Sequence, residues 1–331
     1  MNNTLRNKKI LVTGGAGFIG SNIIEKLIEQ ENIIICLDNF LTGKYENITE
    51  FVQKPEFKLI EGDIRNLNTC LQACSGVDIV LHQAALGSVP RSIHDPVTTN
   101  EINITGTLNM LQAAVKSGVK RFVYASSSSV YGDSKELPKI EENIGNPKSP
   151  YAVSKYVNEL YAGVFSQLYD IETIGLRYFN VFGKRQSPEG EYAAVFPKFI
   201  KLLINHKSPK IHGDGSQTRD FTYIDNVVTA NELAASTQNK DAIGKIYNIA
   251  FEESNSLNNL TAELIRYLSE FDPEIAKIKP EYIDERPGDI KDSLASISKA
   301  KNLLGYNPQY DVKKGLQKAI KWYYEDLKPA D

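Results

Sequence analysis

Short apolar runs that end at glycine or polar residues alternate with segments of helical periodicity through the first half of the chain. KKILVTGG ends at glycines, and SNIIEKLIEQ after it carries apolar residues at helical spacing. Further predicted strands are NIIICLDN, FKLIEGDI, DIVLHQAA, RFVYASSS and ETIGLRYFN. TGTLNMLQAAVKSG predicts a helix that ends at Gly118. The alternation predicts an α/β fold built on a Rossmann-type, doubly wound parallel sheet.

The pattern changes from about Phe179. GKRQSPEGEY is polar and rich in turn residues, and HGDGSQTRDFTYIDN mixes glycine, charge and aromatic residues without a clear period. DVKKGLQKAIKWYYEDL near the end predicts an amphipathic helix. We therefore expect a smaller, mixed α/β C-terminal domain beside the parallel sheet.

Composition narrows the class of protein. The 331-residue chain is 41% hydrophobic and 24% charged, with a formal net charge of -3, so it lacks the basic excess expected of a nucleic-acid-binding protein. Cys36, Cys70 and Cys74 are an odd number without metal-ligand spacing, which favours free thiols in a reducing compartment and no metal site. Neither a signal sequence nor a membrane-spanning stretch is evident, so a cytoplasmic protein without a membrane partner is expected.

The glycine-rich turn after the first strand carries the first candidate chemistry. VTGGAGFIG spaces Gly14, Gly17 and Gly20 three residues apart, between a predicted strand and a predicted helix. Glycines here allow a tight turn and a close approach to a pyrophosphate, and the helix N-terminus supplies N–H donors. A plain structural turn is the alternative, but the strand and helix on either side favour a dinucleotide site.

An acidic residue ends each of the next two predicted strands. Asp38 lies 18 residues after Gly20, near the spacing at which a carboxylate holds the adenosine ribose hydroxyls. It would repel a 2′-phosphate, and Asn39 and Phe40 supply no arginine, so NAD is favoured over NADP. Asp63 could hold the adenine amino group, although a turn residue is an equal alternative.

The chain also carries a serine run followed by a tyrosine and a lysine. Tyr151 and Lys155 stand at i and i+4, so they share one face of the predicted helix YAVSKYVNELYAGVF. A nearby ammonium, with the positive nicotinamide, would lower the pKa of a phenol and make Tyr151 a general base for an alcohol. One serine of ASSSSVYGD, at a predicted strand end, could bond the same oxygen. Each feature alone is common on helix faces or in turns.

Together, TGGAGFIG, DNF, GDI, HQAA, SSSSVYG, YAVSK and RYFNVFG resemble the extended short-chain dehydrogenase/reductases that act on nucleotide sugars, over nearly the whole chain. The resemblance implies NAD as cofactor and Ser127, Tyr151 and Lys155 as catalytic residues, with the roles of Ser126 and Ser128 left open. It places an NAD-binding domain in residues 1–178 with about 222–250, and a UDP-sugar-binding domain in 179–221 with about 251–331. The implied cofactor contacts are Gly14, Gly17, Phe18, Ile19, Asp38, Asn39, Phe40, Thr42, Gly43, Asp63, Ile64, Gln83, Ala84, Ala85, Asn103, Tyr151, Lys155 and Tyr178.

The same resemblance narrows the reaction. Related dehydratases carry an Asp-Glu pair where this chain has Ser128 and Ser129, so no acid is placed there to eliminate water. The remaining reaction is 4-epimerisation: Tyr151 takes the sugar 4-hydroxyl proton as C4 passes a hydride to NAD, the 4-keto sugar rotates, and the hydride returns to the other face. A homodimer formed through a helix bundle is also implied.

Two small residues favour an N-acetylated sugar. Galactose epimerases carry a lysine at the position of Gly87, and enzymes restricted to non-acetylated sugars carry a bulky tyrosine at that of Ser293. The chain thus resembles UDP-N-acetylglucosamine 4-epimerases. The implied substrate contacts are Gly87, Ser88, Ser127, Ser128, Tyr151, Asn180, Ala194, Arg219, Arg286, Asp289 and Ser293.

Several alternatives stay open at this point. Arg91 in GSVPRS could meet the carboxylate of a UDP-N-acetylhexosaminuronic acid. UDP-glucose and UDP-galactose are an alternative pair of substrates for the same reaction. A dehydrogenase or a decarboxylating relative is an alternative kind of enzyme. A catalytically silent NAD-binding sensor is the alternative from another class, and the intact Ser127, Tyr151 and Lys155 argue against it.

Overall fold

The computed structural model of the protein describes residues 5–188, 194–285 and 291–328. The strands are β1 (Lys9–Thr13), β2 (Ile33–Asp38), β3 (Phe57–Glu61), β4 (Ile79–His82), β5 (Arg121–Ser127), β6 (Glu172–Tyr178), β7 (Val181–Phe182), β8 (Lys210–His212), β9 (Thr218–Arg219), β10 (Thr222–Tyr223), β11 (Lys245–Ile249), β12 (Asn255–Ser256) and β13 (Glu281–Ile283). The α-helices are α1 (Phe18–Ile28), α2 (Thr49–Val52), α3 (Leu67–Cys74), α4 (Val89–His94), α5 (Pro96–Asn100), α6 (Gly106–Lys116), α7 (Pro150–Leu168), α8 (Val195–Ile204), α9 (Ile224–Ser236), α10 (Leu257–Leu268), α11 (Ser298–Leu304) and α12 (Val312–Leu327).

A parallel sheet forms the centre of the molecule. Within the described residues it has seven strands in the order β11-β6-β5-β4-β1-β2-β3, and every neighbouring pair is parallel. The chain order reverses beside β1, so the carboxyl ends of β1 and β4 flank the crevice where such sheets bind ligands. The predicted Rossmann-type fold and its six predicted strands are confirmed. β11 was not predicted from the sequence because KIYNI is short and contains Asn248, a polar residue whose hydrogen bonds are all made inside the fold.

Alternate strand residues supply two apolar layers. Ile10 and Val12 of β1 belong to the cluster on one face of the sheet, and Leu11 belongs to the cluster on the other. Helices α1 and α9 pack together, as do α3 and α6. This period of two, buried on both faces, explains why the strands appear in the sequence as continuous apolar runs. The predicted end of α6 is confirmed, because Gly118 follows its last turn with φ +72°.

A second group of elements lies outside this sheet. Helices α8, α10 and α12 pack on one another, and Phe182 stacks on Phe196 with ring centroids 4.2 Å apart. The predicted amphipathic helix is α12, which begins where the Asp311 side chain accepts the Lys314 backbone N–H at 2.7 Å. The division of the chain into two domains stays a prediction. Across the described residues, every helix is too short or too polar to cross a bilayer.

Neutral His82 lies at the centre of a one-directional hydrogen-bond chain at the carboxyl end of β4. The Ala84 N–H donates to the Thr13 hydroxyl (3.2 Å), and that hydroxyl lies 2.8 Å from His82 Nδ1. On the other side, His82 Nε2 lies 2.9 Å from the Thr107 hydroxyl, which donates to the Asn103 carbonyl oxygen (2.6 Å). Because the Thr107 proton is already committed, His82 donates through Nε2 and accepts through Nδ1. This series of hydrogen bonds fixes the start of the loop after β4.

This arrangement predicts a loss of stability in acid. Burial and, to a smaller extent, the Lys155 charge lower the pKa of His82 from 6.5 to about 3, so the unfolded chain takes up the proton first as pH falls. Stability should therefore decline below about pH 6.5, by about 2 kcal/mol from this group between pH 7 and pH 5. Urea unfolding of the wild type and His82→Gln at both pH values would measure it. Equal pH dependence of the two proteins would contradict the assignment.

Candidate active site

A cavity of about 470 Å³ opens at the carboxyl ends of β1, β2 and β4. Most of the predicted cofactor contacts line it, together with three of the predicted sugar contacts. The lining residues from the two predicted sets are Gly14, Gly17, Phe18, Ile19, Asp38, Asn39, Thr42, Asp63, Ile64, Gln83, Ala84, Ala85, Gly87, Ser88 and Ala194. Within the described parts of the chain, no group of three or more His, Cys, Asp or Glu side chains could hold a metal ion.

The glycine turn allows α1 to begin against the end of β1. Gly14 has φ +66°, and a β-carbon there would lie 2.8 Å from the Ala84 backbone. A β-carbon on Gly20 would lie 2.2 Å from the Gly14 oxygen, so that position requires glycine for helix-to-turn packing. Gly17 differs, because a β-carbon there would meet one described atom, the Gly14 oxygen, at 3.1 Å, and Gly17 lines the cavity. The turn therefore fits a pyrophosphate at the helix N-terminus.

Asp38 ends β2 with its carboxylate held by the backbone. One oxygen accepts the Ala16 N–H at 2.9 Å and the other accepts the Phe40 N–H at 2.8 Å. Burial raises the pKa of this carboxyl, and these N–H donors offset part of the rise. A β-carbon on Gly43 would lie 2.9 Å from one carboxylate oxygen. The fixed carboxylate at the edge of the cavity fits the ribose-binding role predicted for Asp38.

Asp63 is engaged by neighbours that the sequence analysis did not identify as partners. Arg65 donates to both of its oxygens, and Asn39 donates to one of them at 2.8 Å. The Arg65 hydrogen bonds hold the pKa of Asp63 at about 2, although burial opposes them. The carboxylate is thus ionised at neutral pH and still borders the cavity, so its contact with adenine stays a prediction.

Two predicted cofactor residues lie behind the cavity wall and make their hydrogen bonds within the protein. Tyr178 donates to the Gln83 side-chain oxygen (3.0 Å) and accepts from Asn231 (2.9 Å). Asn103 accepts from the Leu86 N–H (2.7 Å). Both therefore position residues that line the cavity, and their direct contact with the cofactor stays a prediction. Asn231, on α9, was missed because nothing local in the sequence marks it.

The three predicted catalytic residues meet at the ends of β5 and α7. Ser127 is the last residue of β5, and its hydroxyl accepts the Ser129 N–H at 3.1 Å. Tyr151 follows Pro150 in the first turn of α7, after Ser149 caps the helix. Lys155, one turn on, donates to the Ala125 oxygen at 2.8 Å, and its ammonium lies 5.9 Å from the centre of the Tyr151 ring. The helical spacing predicted this shared face.

The expected lowering of the Tyr151 pKa included the effect of the positive nicotinamide of bound NAD and stays a prediction; the protein groups by themselves shift this pKa in the opposite direction. Burial raises the pKa of the phenol above its ordinary value, and the hydrogen bond to Ser127 offsets only part of the rise. Burial also lowers the pKa of Lys155 to about 8, against an opposing effect of the Glu159 carboxylate. Desolvation is the largest effect on the pKa of both residues, and a one-turn spacing on a helix does not reveal desolvation.

Glu159 and Arg177 form a buried ion pair beneath this site. Their side chains are 2% and 3% exposed, and two N–H groups of Arg177 donate to the two Glu159 oxygens at 2.8 Å each. Ser126 donates to Glu159 at 2.5 Å, so its hydroxyl is committed to the interior. This favours Ser127, which bonds Tyr151 and is the serine that the resemblance implies, over Ser126, and the role of Ser128 stays open. The pair was missed because its members lie 18 residues apart on different elements.

Three other predicted substrate contacts, Asn180, Arg219 and Ser293, lie together at a second place. The Thr218 N–H bonds the Lys291 oxygen (2.9 Å) and the Ser293 N–H bonds the Thr218 oxygen (3.2 Å), which brings Arg219 beside half-buried Ser293. Asn180 donates to the Asp220 oxygen at 2.9 Å, so it lies next to the same strand. Neither Arg219 nor Ser293 lines the 470 Å³ cavity. Arg286 and Asp289 lie outside the described residues.

The sequence profile described as the NAD dependent epimerase/dehydratase family matches residues 10–250. The chain belongs to this family. NAD is its cofactor, in agreement with the glycine turn and Asp38. The family resemblance found in the motifs is confirmed across most of the chain.

Individual relatives carry several substrate names. A Methanocaldococcus jannaschii protein provisionally named UDP-glucose 4-epimerase is 40% identical over 315 residues, which is 95% of this chain and 97% of that protein. A UDP-N-acetylglucosamine 4-epimerase from Methanobrevibacter ruminantium M1, solved in complex with UDP-N-acetylmuramic acid, is 37% identical with a TM-score of 0.90, covering 97% of this chain and 100% of that one.

A UDP-glucuronic acid 4-epimerase from Bacillus cereus, in complex with UDP-glucuronic acid and NAD, is 33% identical with a TM-score of 0.84, covering 96% of this chain and 99% of that one. The comparisons support the nucleotide-sugar 4-epimerase expected from the sequence and leave its sugar open. The expected UDP-N-acetylhexosamine therefore enters below as a proposal.

The two glycines of the turn should respond differently to alanine. Gly17→Ala should cost less than about 1 kcal/mol of stability yet weaken NAD binding, because its methyl group enters the cavity. Gly20→Ala should cost more than about 2 kcal/mol, because its methyl group meets the Gly14 oxygen. Thermal unfolding and the NAD content of the purified proteins would separate the two effects. Equal destabilisation by both changes would argue against this placement of the turn.

Proposed function

We propose that the protein is an NAD-dependent 4-epimerase that interconverts UDP-N-acetylglucosamine and UDP-N-acetylgalactosamine. The observation that carries the proposal is the meeting of Ser127, Tyr151 and Lys155 at the carboxyl edge of the sheet that holds the NAD cavity. A family member without proton-transfer chemistry would not require a buried tyrosine in contact with a serine and close to a lysine.

Each protein group has a role that follows from its position. Tyr151 takes the proton of the sugar 4-hydroxyl and returns it, and Ser127 bonds the same oxygen. Lys155, fixed by the Ala125 carbonyl, provides the positive charge that favours the phenolate against the effect of burial. Bound NAD supplies a hydride acceptor for C4 and a donor for the opposite face of the sugar. Because the cofactor is regenerated in each turnover, the enzyme needs no second redox substrate.

The room for a 2-acetamido group supports an N-acetylated sugar. A β-carbon on Gly87 would meet none of the described atoms within 4 Å, so packing does not require glycine at this point of the cavity. Ser88 and Ala194 line the same cavity. Three small side chains leave space where a lysine at position 87 would occupy it. The likeness to the UDP-N-acetylglucosamine 4-epimerase of M. ruminantium agrees with this choice.

A second candidate substrate is a UDP-N-acetylhexosaminuronic acid. Arg91 lines the cavity beside Gly87 and Ser88, and a guanidinium there could pair with a sugar carboxylate. The likeness to a glucuronic acid epimerase gives this candidate its weight. We place it second because a neutral sugar already accounts for the small residues of the cavity.

Proton NMR of the purified protein with UDP-N-acetylglucosamine, and with no NAD added, tests the proposal directly. Appearance of the anomeric signal of the galacto epimer would establish 4-epimerisation with retained cofactor and an acetamido-tolerant pocket. If the protein converts UDP-glucose or the uronic acid but not UDP-N-acetylglucosamine, the proposed substrate is wrong and the converted sugar takes its place. Net NADH formation would indicate a dehydrogenase instead.

Tyr151→Phe should keep the fold and the bound NAD and lose nearly all turnover, on the order of 10²-fold or more, because the proton acceptor is gone. The measurement is the same NMR assay, with the NAD content of the denatured protein as the control for cofactor binding. Normal activity in this variant would refute the assigned mechanism.

Ser293→Tyr should impair UDP-N-acetylglucosamine far more than UDP-glucose. The reason lies in the family resemblance, because enzymes restricted to non-acetylated sugars carry a bulky tyrosine at the position of Ser293. Measuring kcat/KM for both sugars makes UDP-glucose the internal control. Equal losses on the two substrates would refute the pocket assignment.

We also propose that two copies of the chain associate through α7 and the neighbouring helices. The outer face of α7 exposes a stripe of apolar side chains that includes Leu160 and Leu168, and Ile93 and Val97 of the contacting α4 and α5 are 63% and 66% exposed. Such a surface is large for a monomer. A second copy suits it, because two-fold symmetry pairs one apolar helix face with itself.

Leu160→Glu should therefore shift the protein from dimer to monomer in light scattering coupled to gel filtration. Ile33→Glu is the matched control, since Ile33 is similarly exposed, at 52% against 53%, and lies at the start of β2 rather than on the stripe. A wild type that is monomeric at micromolar concentration would exclude the dimer.

A further inference from the structure

Residues 184–187, which we call the wall segment, run along one side of the NAD cavity. Arg185, Gln186 and Ser187 border the same space as Gly14 and Gly17. The segment follows β7, outside the central sheet. Its contacts therefore decide how firmly the cavity is bounded on this side.

Helix α1 holds the wall segment through one amide and one carboxylate. Asn22 donates to the Lys184 backbone oxygen at 3.1 Å. One turn on, the two oxygens of Glu25 pair with different cations, Lys184 at 2.6 Å and the Arg185 guanidinium at 2.7 Å. Arg185 also bonds Glu50 of α2. Because Gly17 of the glycine turn caps the start of α1, the helix that follows this turn also anchors the wall segment.

The pairing is less exposed than an ordinary surface ion pair. The side chain of Arg185 is 11% exposed and that of Glu25 is 28% exposed. Burial alone would raise the pKa of Glu25, yet the Lys184 and Arg185 interactions bring it below its ordinary value, so the carboxylate is charged at neutral pH. Arg185 adopts φ +68°, which is uncommon for a side chain of this size and has to be held by surrounding contacts.

The other end of the segment is bonded to α12. The Tyr323 hydroxyl accepts the Gly183 N–H at 3.0 Å and lies 3.1 Å from the Gln186 side-chain oxygen. Gln186 itself donates to the Val181 oxygen at 2.9 Å. These bonds do not involve Glu25, and Arg185 also keeps its bond to Glu50. Removal of the Glu25 charge therefore loosens the Lys184 and Arg185 side chains without removing the whole segment.

We propose that Glu25 is a positioning residue for the cofactor: by pairing with Lys184 and Arg185, it keeps the wall segment against the NAD cavity and slows NAD release. The proposal deepens the proposed function, since an epimerase that regenerates NAD in every turnover gains from retaining it. Glu25 takes no part in proton or hydride transfer. Its effect should appear in the cofactor dissociation rate.

The test compares NAD release from Glu25→Gln, Glu29→Gln and the wild type. Each NAD-loaded protein is desalted, incubated without free NAD and desalted again at intervals, and the retained NAD is measured after denaturation. Glu29 is the matched control, because it follows on the same helix and pairs with Lys26 at 3.6 Å in solvent. We expect release about tenfold faster from Glu25→Gln, as for loss of a partly buried charged pair, and unchanged from Glu29→Gln.

Three results of this experiment would overturn the proposal. Unchanged NAD release from a folded Glu25→Gln would overturn it, and so would equal acceleration by Glu29→Gln, which would indicate a general charge effect. If Glu25→Gln fails to fold, Lys184→Gln removes one of the two pairs, and it should accelerate release by a smaller factor. Its unchanged release would overturn the proposal. NAD release needs no sugar, so this test stays decisive even if the protein fails to epimerise UDP-N-acetylglucosamine.

Discussion

The active site depends on a single buried ion pair. Glu159 on α7 and Arg177 on β6 satisfy each other in the protein interior, and Ser126 of β5 bonds the same carboxylate. The pair thus fixes three elements that separately carry Tyr151, Tyr178 and Ser127. Removing one partner of such a pair costs about 3–5 kcal/mol, because the other charge is left buried and uncompensated. The tyrosine and the serine can meet because this pair holds α7 in one register against the strands.

Around the pair, hydrogen bonds within the protein hold the polar groups at the carboxyl edge of the sheet. The neutral His82 chain orders the loop after β4, and the Gln83, Tyr178 and Asn231 triangle orders its next residue. Their effect is preorganisation, because the cavity wall is set by the protein before a ligand arrives. The same burial that gives this order also raises the pKa of Tyr151, so the fixed position of this proposed catalytic residue opposes its ionisation.

The sequence predicts the features that depend on neighbours along the chain. The strands, the glycine turn, Asp38 and the one-turn spacing of Tyr151 and Lys155 follow from local pattern and were correctly located. Contacts across the chain had no such signal: Asn231 lies 148 residues from Gln83, and Arg185 lies 160 residues from Glu25. The raised pKa of Tyr151 was missed for the same reason. Desolvation comes from tertiary packing and leaves no period or motif in the sequence.

The Tyr323 hydroxyl joins helix α12 to both ends of a four-residue stretch, from Gly183 to Gln186, that borders the cofactor. Helix α12 therefore helps to hold, through one phenol, a stretch that lines the same cavity as the glycine turn. Residues from the first and the last elements of the described chain thus bound one site.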